Sequence, residues 1–390
     1  MAGPWATQTL ADLGAEVIKI ERPGVGDETR TWGPPYLKRQ DGEDSNESAY
    51  FLCANRNKKS VALDISSPPG RALLLKLAAE CDVVVENFKA GGLKRYGLDY
   101  ASIKAVAPGI VYCSITGFGQ TGPYASRAGY DFLIQGIGGL MSITGLPDGE
   151  AGAGPIKTGV AVTDILTGLY ASTAILGALL SRERTGEGQY IDIALLDVQV
   201  ACLANQVMNY LTTGQPPSRL GNAHPNVVPY QDFPTSDGSI ILAIGNDAQF
   251  RKFCVVAEQP GLADDARFAS NAGRVKHRAQ LLPLMRNITL KHSTQHWIEA
   301  LEREGVPCGP INDIAGVFCD PQVIARELHL QLPHPCGSAP SVASPIRLSG
   351  TPVQYRSAPP MLGQHTREVL SEILKLDDRE IAGLHRDGVI

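Results

Sequence analysis

In the first half of the chain, short apolar runs alternate with amphipathic stretches. Val17-Ile18-Lys19-Ile20, the segment 60–65, Val83-Val84-Val85 and the segment 110–116 are nearly continuous in apolar residues. Such runs read as strands buried on both faces. Between them, 5–13, 70–80 and 100–106 carry a helical period, with Gly14 closing the first and Pro69-Gly70 opening the second. This alternation predicts an α/β fold, a Rossmann-like large domain with a parallel sheet covered on both faces. A short helical turn is expected at 93–96. The segment 24–50 is polar and rich in Gly and Pro, and reads as a long loop.

The most apolar stretch is 158–181, TGVAVTDILTGLYASTAILGALLS. Gly159 to Val162 is small and β-prone. From Ile165 to Leu180 apolar residues recur at 165, 166, 169, 175, 176, 179 and 180, the spacing of a largely buried helix. Gly168, Ala171, Ala174 and Ala178 allow close packing. Asp164 sits at this junction, a lone carboxylate in apolar surroundings. One role is to cap the helix by accepting from its first N–H groups. The other is a carboxylate nucleophile, its anion stabilised by the helix start and poorly hydrated between apolar walls. Thr163 can serve as the cap instead, which would free Asp164 for chemistry.

Beyond this stretch, 190–195 reads as a strand and 196–210 as a helix. A Pro- and Gly-rich linker follows at 212–227, then a strand at 239–244 and a mostly helical, more charged region at 248–304. Residues 326–364 are expected to be extended, and helices are predicted at 366–374 and 378–384. The expected domains are a large domain over 1–211, a smaller α+β domain over 225–325, and a wrap over 326–390 that returns to the large domain. A helix over 132–141 is also expected.

Composition narrows the classes of partner. The formal net charge of −5 over 390 residues, with no basic stripe, gives no support for nucleic-acid binding. No run of 18 apolar residues suggests a membrane span. The eight Cys are scattered with no CxxC, and Cys81, Cys113, Cys202 and Cys254 lie in apolar surroundings. They read as small core residues in a reducing compartment, with a cytoplasmic location expected, or the mitochondrial matrix for a eukaryotic protein lacking its N-terminal segment. His292 and His296 share a helix face, but without HExxH or a third ligand they read as surface residues.

Candidate chemistry gathers after the strands. Glu21-Arg22, the 65–68 turn, Asn87-Phe88 and Gly117-Phe118-Gly119 all follow predicted strands, and ligands of open α/β sheets bind at that edge. Arg22, Lys58, Lys59 and Arg95 are candidate phosphate partners, and Phe88 a candidate to flank an adenine. Gly117 to Gly122 formally matches GxGxxG, but Pro123 follows at once and no acidic residue ends a later strand, so a dinucleotide site is not supported. Arg127-Ala-Gly-Tyr130-Asp131 sets a phenol and a second carboxylate before an apolar helix. Asp131 is either another cap or, with Tyr130, part of a hydrogen-bonding pair facing a substrate. No P-loop, GxSxG or Cys/His nucleophile pattern is present.

Several stretches match a known family in order and nearly end to end. AGPWATQTLADLGAEVIKIERPGVGDETR, NRNKKSVALDI, CDVVVENFKAGGLKRYGL, RAGYD, TGVAVTD and MLGQHT resemble the class III coenzyme A transferases. That family includes formyl-CoA transferase, carnitine CoA-transferase and the α-methylacyl-CoA racemases. RTWGPP, YCSITGFGQTGP, RAGYD and VPYQ look most like its succinyl-CoA:glutarate (hydroxymethylglutarate) branch.

The resemblance implies an interlocked homodimer in which each chain threads through the other. It implies a catalytic carboxylate at Asp164 and coenzyme A contacts at Arg22, at the Leu63 to Ser66 turn, at Asn87, Phe88, Lys89 and Arg95, and at the loop 128–131. Ser66 stands where some relatives carry Lys. Tyr130 and Asp131 are expected to face the substrate. The expected reaction moves coenzyme A from a dicarboxylyl-CoA donor such as succinyl-CoA to a carboxylic acid, with the thioester as substrate and no permanently bound cofactor. An acyl-CoA racemase or isomerase using Asp164 as a base is the alternative. Racemases of the family carry His where this chain has Tyr130, and a phenol of ordinary pKa about 10 is a poorer base at neutral pH than imidazole. Family members also begin with a strand of VLDLT form ahead of the AGP motif. The expectation from this is an unpaired edge beside Val17 to Ile20, with weaker CoA binding.

Overall fold

The computed structural model describes residues 1–390. Helix α1 (Ala2–Asp12) leads into β1 (Val17–Glu21). The expected loop after it holds a hairpin, β2 (Tyr36–Lys38) with β3 (Asp44–Ser48), and a short α2 (Ala49–Leu52) capped by Ser48. A few of its polar residues, Arg30, Ser45, Glu47 and Ser48, are buried, while most of the segment stays exposed. Arg30 is 5% exposed, reaches Glu21 at 2.8 Å and Glu47 at 2.6 Å, and lies 3.7 Å from the Phe51 ring centroid. A charge so buried persists only when paired and hydrogen-bonded, and this one also donates to Pro360 O.

Strand β4 (Lys58–Ala62) pairs parallel with β1, Val17 opposite Lys58 and Glu21 opposite Ala62. The alternation continues through α3 (Pro68–Ala79), β5 (Val83–Glu86), α4 (Tyr100–Val106) and β6 (Val111–Thr116). The expected 132–141 helix is broken into α5 (Asp131–Ile137) and α6 (Leu140–Ile143), because Gly139 between them takes φ 84°. The central helix α7 (Val162–Thr185) is not preceded by a strand; residues 158–161 are irregular. After β7 (Tyr190–Ala194), the expected 196–210 helix is divided into α8 (Leu195–Ala201) and α9 (Ala204–Thr213), with Ala204 at φ 47°.

The result is a mixed α/β protein with parallel sheets, as the alternation predicts. One sheet is β1-β4 and the other β5-β6-β7. One edge of β1 and one edge of β5 are unpaired. Val17, Ile18 and Ile20 from the first and Val83, Val84 and Val85 from the second line a cavity of about 280 Å³, together with residues of α1, α3 and α4.

The chain divides into two compact units: Met1–Gly139, Thr158–Cys202 and Pro321–Ile390 form one, Leu140–Lys157 and Leu203–Asp320 the other. The second unit therefore takes up 140–157, which local pattern does not reveal. That segment is tied to 219–221: Gly221 N donates to Gly145 O at 3.0 Å, and Arg219 pairs with Asp148. The second unit carries an antiparallel sheet of β8 (Tyr230–Pro234), β9 (Ser239–Ala243) and β10 (Cys308–Pro310) over a core including Phe233, Leu242, Phe253 and Trp297. In the first unit the C-terminal stretch forms a hairpin, β11 (His329–His334) with β12 (Gly337–Val342). It then runs extended to helix Thr366–Glu372, whose Thr366 hydroxyl accepts from Ala62 N at 2.9 Å.

Around the site the decisive packing is α1 against α7. Ala6, Ala171 and Ile175 are fully buried, and Ser172 Oγ donates to Ala6 O at 3.2 Å. A methyl group on Gly168 would lie 2.8 Å from Ala2 O and 3.0 Å from Trp5 Cβ, so only glycine allows this approach. Gly168→Ala gains about 1 kcal/mol of helix propensity, but forcing backbone atoms apart costs about 1–3 kcal/mol. The expected outcome is a lower melting temperature and weaker activity. A thermal melt equal to or above the wild type would show that the contact is not the constraint.

Candidate active site

Asp164 lies in the first turn of α7, and its side chain is 16% exposed. It borders a cleft of about 510 Å³ that Asn87, Phe88, Lys89, Trp32, Arg127 and Tyr130 also line. Asn87 to Lys89 directly follow β5, where Phe88 N donates to the Glu86 carboxylate at 2.7 Å. Tyr130 arrives from a distant loop. A methyl on Gly129 would sit 2.5 Å from Gly117 Cα, and one on Gly117 would sit 2.6 Å from Gly129 Cα. The first glycine of the formal GxGxxG match is thus needed for backbone-to-backbone contact, which brings the 127–131 loop to the end of β6.

Asp164 is not the helix cap, and neither is Thr163. The Thr163 hydroxyl donates to Gln199 Oε1 at 2.6 Å. The acceptor comes from α5: Asp131 Oδ1 accepts from Thr163 N at 2.8 Å and from Asp164 N at 3.2 Å. Its Oδ2 accepts from Gln135 Nε2 at 2.6 Å. This corrects the expectation of a substrate-facing Asp131. Its oxygens are taken up by protein donors, and it does not line the cleft, whereas Tyr130 does and is 61% exposed.

The other expected contacts separate from the cleft. Arg22 follows β1 and is exposed. Ser66 donates from both its amide and its hydroxyl to Asp64 Oδ1, at 2.9 and 2.6 Å. The Leu63 side chain is buried among Val61, Leu73 and Leu77, so this turn presents backbone and Ser66 to solvent. Arg95 is exposed and stacks on Tyr96 at 4.5 Å. Lys58 is a correction: it is 2% exposed, and its ammonium donates to Pro4 O, Ala54 O and Asn55 Oδ1 at 2.7–3.0 Å, so it is not a phosphate partner. Lys59 pairs with Glu16 and Glu368. Arg127 and Trp32 are among the cleft residues that the sequence analysis did not propose. Arg127, its guanidinium 4.5 Å from the Tyr124 ring, stands in the quoted RAGYD motif, which was the available signal. Trp32, edge-on to Tyr50 at 4.8 Å, stands likewise in the quoted RTWGPP motif.

Comparison with known proteins decides the family. Residues 1–366 match the family described as CoA-transferase family III. The chain belongs to that family. A succinate–glutarate CoA-transferase of Agrobacterium fabrum is 52% identical over 374 residues, covering 96% of this chain and 92% of the relative. A succinyl-CoA:glutarate CoA-transferase of Homo sapiens is 45% identical, covering all of this chain and 87% of its own length. The crystal structure of a CaiB/BaiF family protein from Brucella suis superposes with a TM-score of 0.82 at 51% identity, covering 96% of both chains. The expected family and fold class hold, and the racemase alternative is not favoured.

The electrostatics of the transferase site follow from burial. Desolvation is the largest influence on Asp164 and pushes its carboxyl above the ordinary range. The chain's first ammonium, 3.9 Å away, pulls it down, Asp131 pushes it up, and the Ala2 N–H that donates to it pulls it down; the net shift is upward. Nearby, burial and the Asp164 charge raise the Tyr50 phenol to about 12. A carboxyl whose folded pKa exceeds its unfolded value costs stability once pH rises through the ordinary value of 3.8, and the full cost is present above the raised pKa. Asp164→Asn is therefore expected to melt higher than wild type at neutral pH, with the gain shrinking as pH falls through that window. A gain that stays constant down to acid pH, or a loss at neutral pH, would contradict the raised pKa.

Proposed function

We propose that this CoA-transferase moves coenzyme A from a dicarboxylyl-CoA donor of the succinyl-CoA type to a carboxylic acid acceptor, through covalent intermediates on Asp164. The observation that carries this is a poorly hydrated carboxylate released from capping duty and set at the wall of the cleft. The dicarboxylate class is supported by the names of the two relatives above. An Asp164 oxygen attacks the donor thioester carbonyl; the C–S bond breaks and a mixed anhydride forms with release of CoA thiolate. The thiolate attacks the aspartyl carbonyl, giving an aspartyl-CoA thioester and the donor's free acid. The acceptor carboxylate then attacks that thioester, forming a second anhydride. Returning thiolate converts it to the new acyl-CoA and regenerates Asp164. Each intermediate stays activated, so water must be kept out, which fits the apolar surround.

The first residues of α1 and the loops after β5 and β6 form the walls around Asp164. Asn87, Phe88, Lys89 and Tyr130 are proposed contacts for the thioester arm. Arg22, Ser66 and Arg95 are proposed to meet the nucleotide end beyond the cleft. The working form is proposed to be a homodimer. Leu169, Tyr170, Leu176 and Leu180 of α7 are 43–53% exposed; on α9, Met208 is 56% and Leu211 66% exposed. Apolar surface on that scale fits burial by a second copy. The eight free cysteines support a reducing compartment.

Asp164→Ala should abolish transfer from succinyl-CoA to a panel of dicarboxylic acids, and hydroxylamine added during turnover should modify Asp164 in the wild type. Near-normal transfer by Asp164→Ala would remove the nucleophile, and racemisation without CoA movement would restore the isomerase. In dilution sedimentation the dimer should persist at nanomolar concentration; a rapid monomer–dimer equilibrium would count against interlocked chains.

A further inference from the structure

Helix α7 begins without a side-chain cap of its own, since Ala161 precedes it. Its first-turn N–H groups still need acceptors. They are met by Asp131, more than 30 residues earlier in the chain, at 2.8 and 3.2 Å. Asp131 is itself pinned by Gln135, fully buried one helical turn on, at 2.6 Å. Gln135 Oε1 in turn accepts from Thr158 N at 2.9 Å. The Asp131–Gln135 pair thus grips both ends of the segment 158–164. The Thr163 hydroxyl is held separately by Gln199. Tyr130, the residue before Asp131, lines the cleft, so one short turn ties the cleft wall to the start of the helix that carries Asp164.

We infer that Asp131 is a positioning residue: its carboxylate caps α7 from outside and fixes where the Asp164 side chain meets the acyl carbonyl, without touching substrate. This rests on Asp164 as the group that carries the transfer. Misplacing a reacting group by about 1 Å can cost on the order of 100-fold in rate. Asparagine keeps an acceptor for the two amides and loses only the charge and the Gln135 contact.

The test uses the full chain with Asp131→Ala, Asp131→Asn and Asp164→Ala, measuring kcat, KM and amide hydrogen exchange at Thr163 and Asp164. In Asp131→Ala, kcat is expected to fall about 10- to 100-fold, with KM for succinyl-CoA and for the acid within about twofold. The two amides should exchange at least about tenfold faster, and Asp131→Asn should recover most of both losses. Unchanged exchange, unchanged kcat, or a KM rise of about tenfold with kcat retained would each overturn the inference while Asp164→Ala stays inactive. Full transfer by Asp164→Ala would overturn the nucleophile, and this inference with it.

Discussion

The site depends on one close approach, that of α1 to α7 at Gly168. Helices normally stay apart by the width of their side chains. Here the missing side chain lets Ala2 O, Trp5 Cβ and Ala6 N come within 2.8–3.1 Å of where a methyl would sit. That approach sets the start of α1 beside Asp164, where the Ala2 N–H donates to the carboxylate. Lys58 secures the same helix from the other side by donating to Pro4 O at 2.8 Å. Its burial pushes its own pKa well below the usual lysine range, a penalty accepted only because three oxygens receive its protons.

Buried charge recurs wherever irregular chain has to be held. Asp12, 3% exposed, takes two hydrogen bonds from the Arg56 guanidinium and one from Asn57. Arg56 also donates to Val342 O at 2.7 Å, and Asn57 Nδ2 to Gln354 O at 2.8 Å. These residues tie α1, the entry to β4 and the C-terminal stretch into one knot. Replacing such pairs by apolar groups is often neutral for stability, so their value lies in register. The same holds for Arg30 between Glu21 and Glu47. Removing one partner would leave a buried, unpaired charge, which is far costlier than removing the whole set.

This division explains what the sequence disclosed. Strands β1, β5 and β6 and helix α7 were legible because each is a local run with a clear period. Asn87, Phe88 and Asp164 could be proposed because they sit just past a strand end or on a polar break in an apolar run. Tyr130 could be proposed because it sits in a Gly-bounded loop before an apolar helix, and Lys89 only through the family resemblance. Tyr130, Asn87, Phe88, Lys89 and Asp164 all line one cleft. The rest depends on pairs far apart in the chain. Nothing local says that Lys58 points at Pro4, that Gly117 meets Gly129, or that Asp131 serves a helix that starts some 30 residues later. The segment 24–50 was read as a long loop because it is polar and rich in Gly and Pro. Most of it is exposed, but Arg30, Ser45, Glu47 and Ser48 are internal, with Arg30 satisfied by Glu21 and Glu47. Pattern reading counts polarity residue by residue and cannot see that two charges cancel.

The arrangement at Asp164 also resolves a conflict built into any carboxylate that opens a helix. An aspartate that caps its own helix accepts from first-turn amides, and such bonds to the charged form lower its pKa and hold its lone pairs. Capping and nucleophilicity thus compete for the same oxygens. One cap is worth about 1 kcal/mol, too little to determine the chemistry but enough to be missed if the helix start is left bare. Supplying the cap from Asp131 satisfies the helix and leaves Asp164 with only the Ala2 donor and the chain's first ammonium nearby. It also brings a second negative charge close by, which acts in the same direction as burial and raises the Asp164 pKa. The price is a carboxylate less comfortable than it would be in water. On the proposed mechanism that discomfort suits an attacking oxygen, provided the helix beneath it does not move.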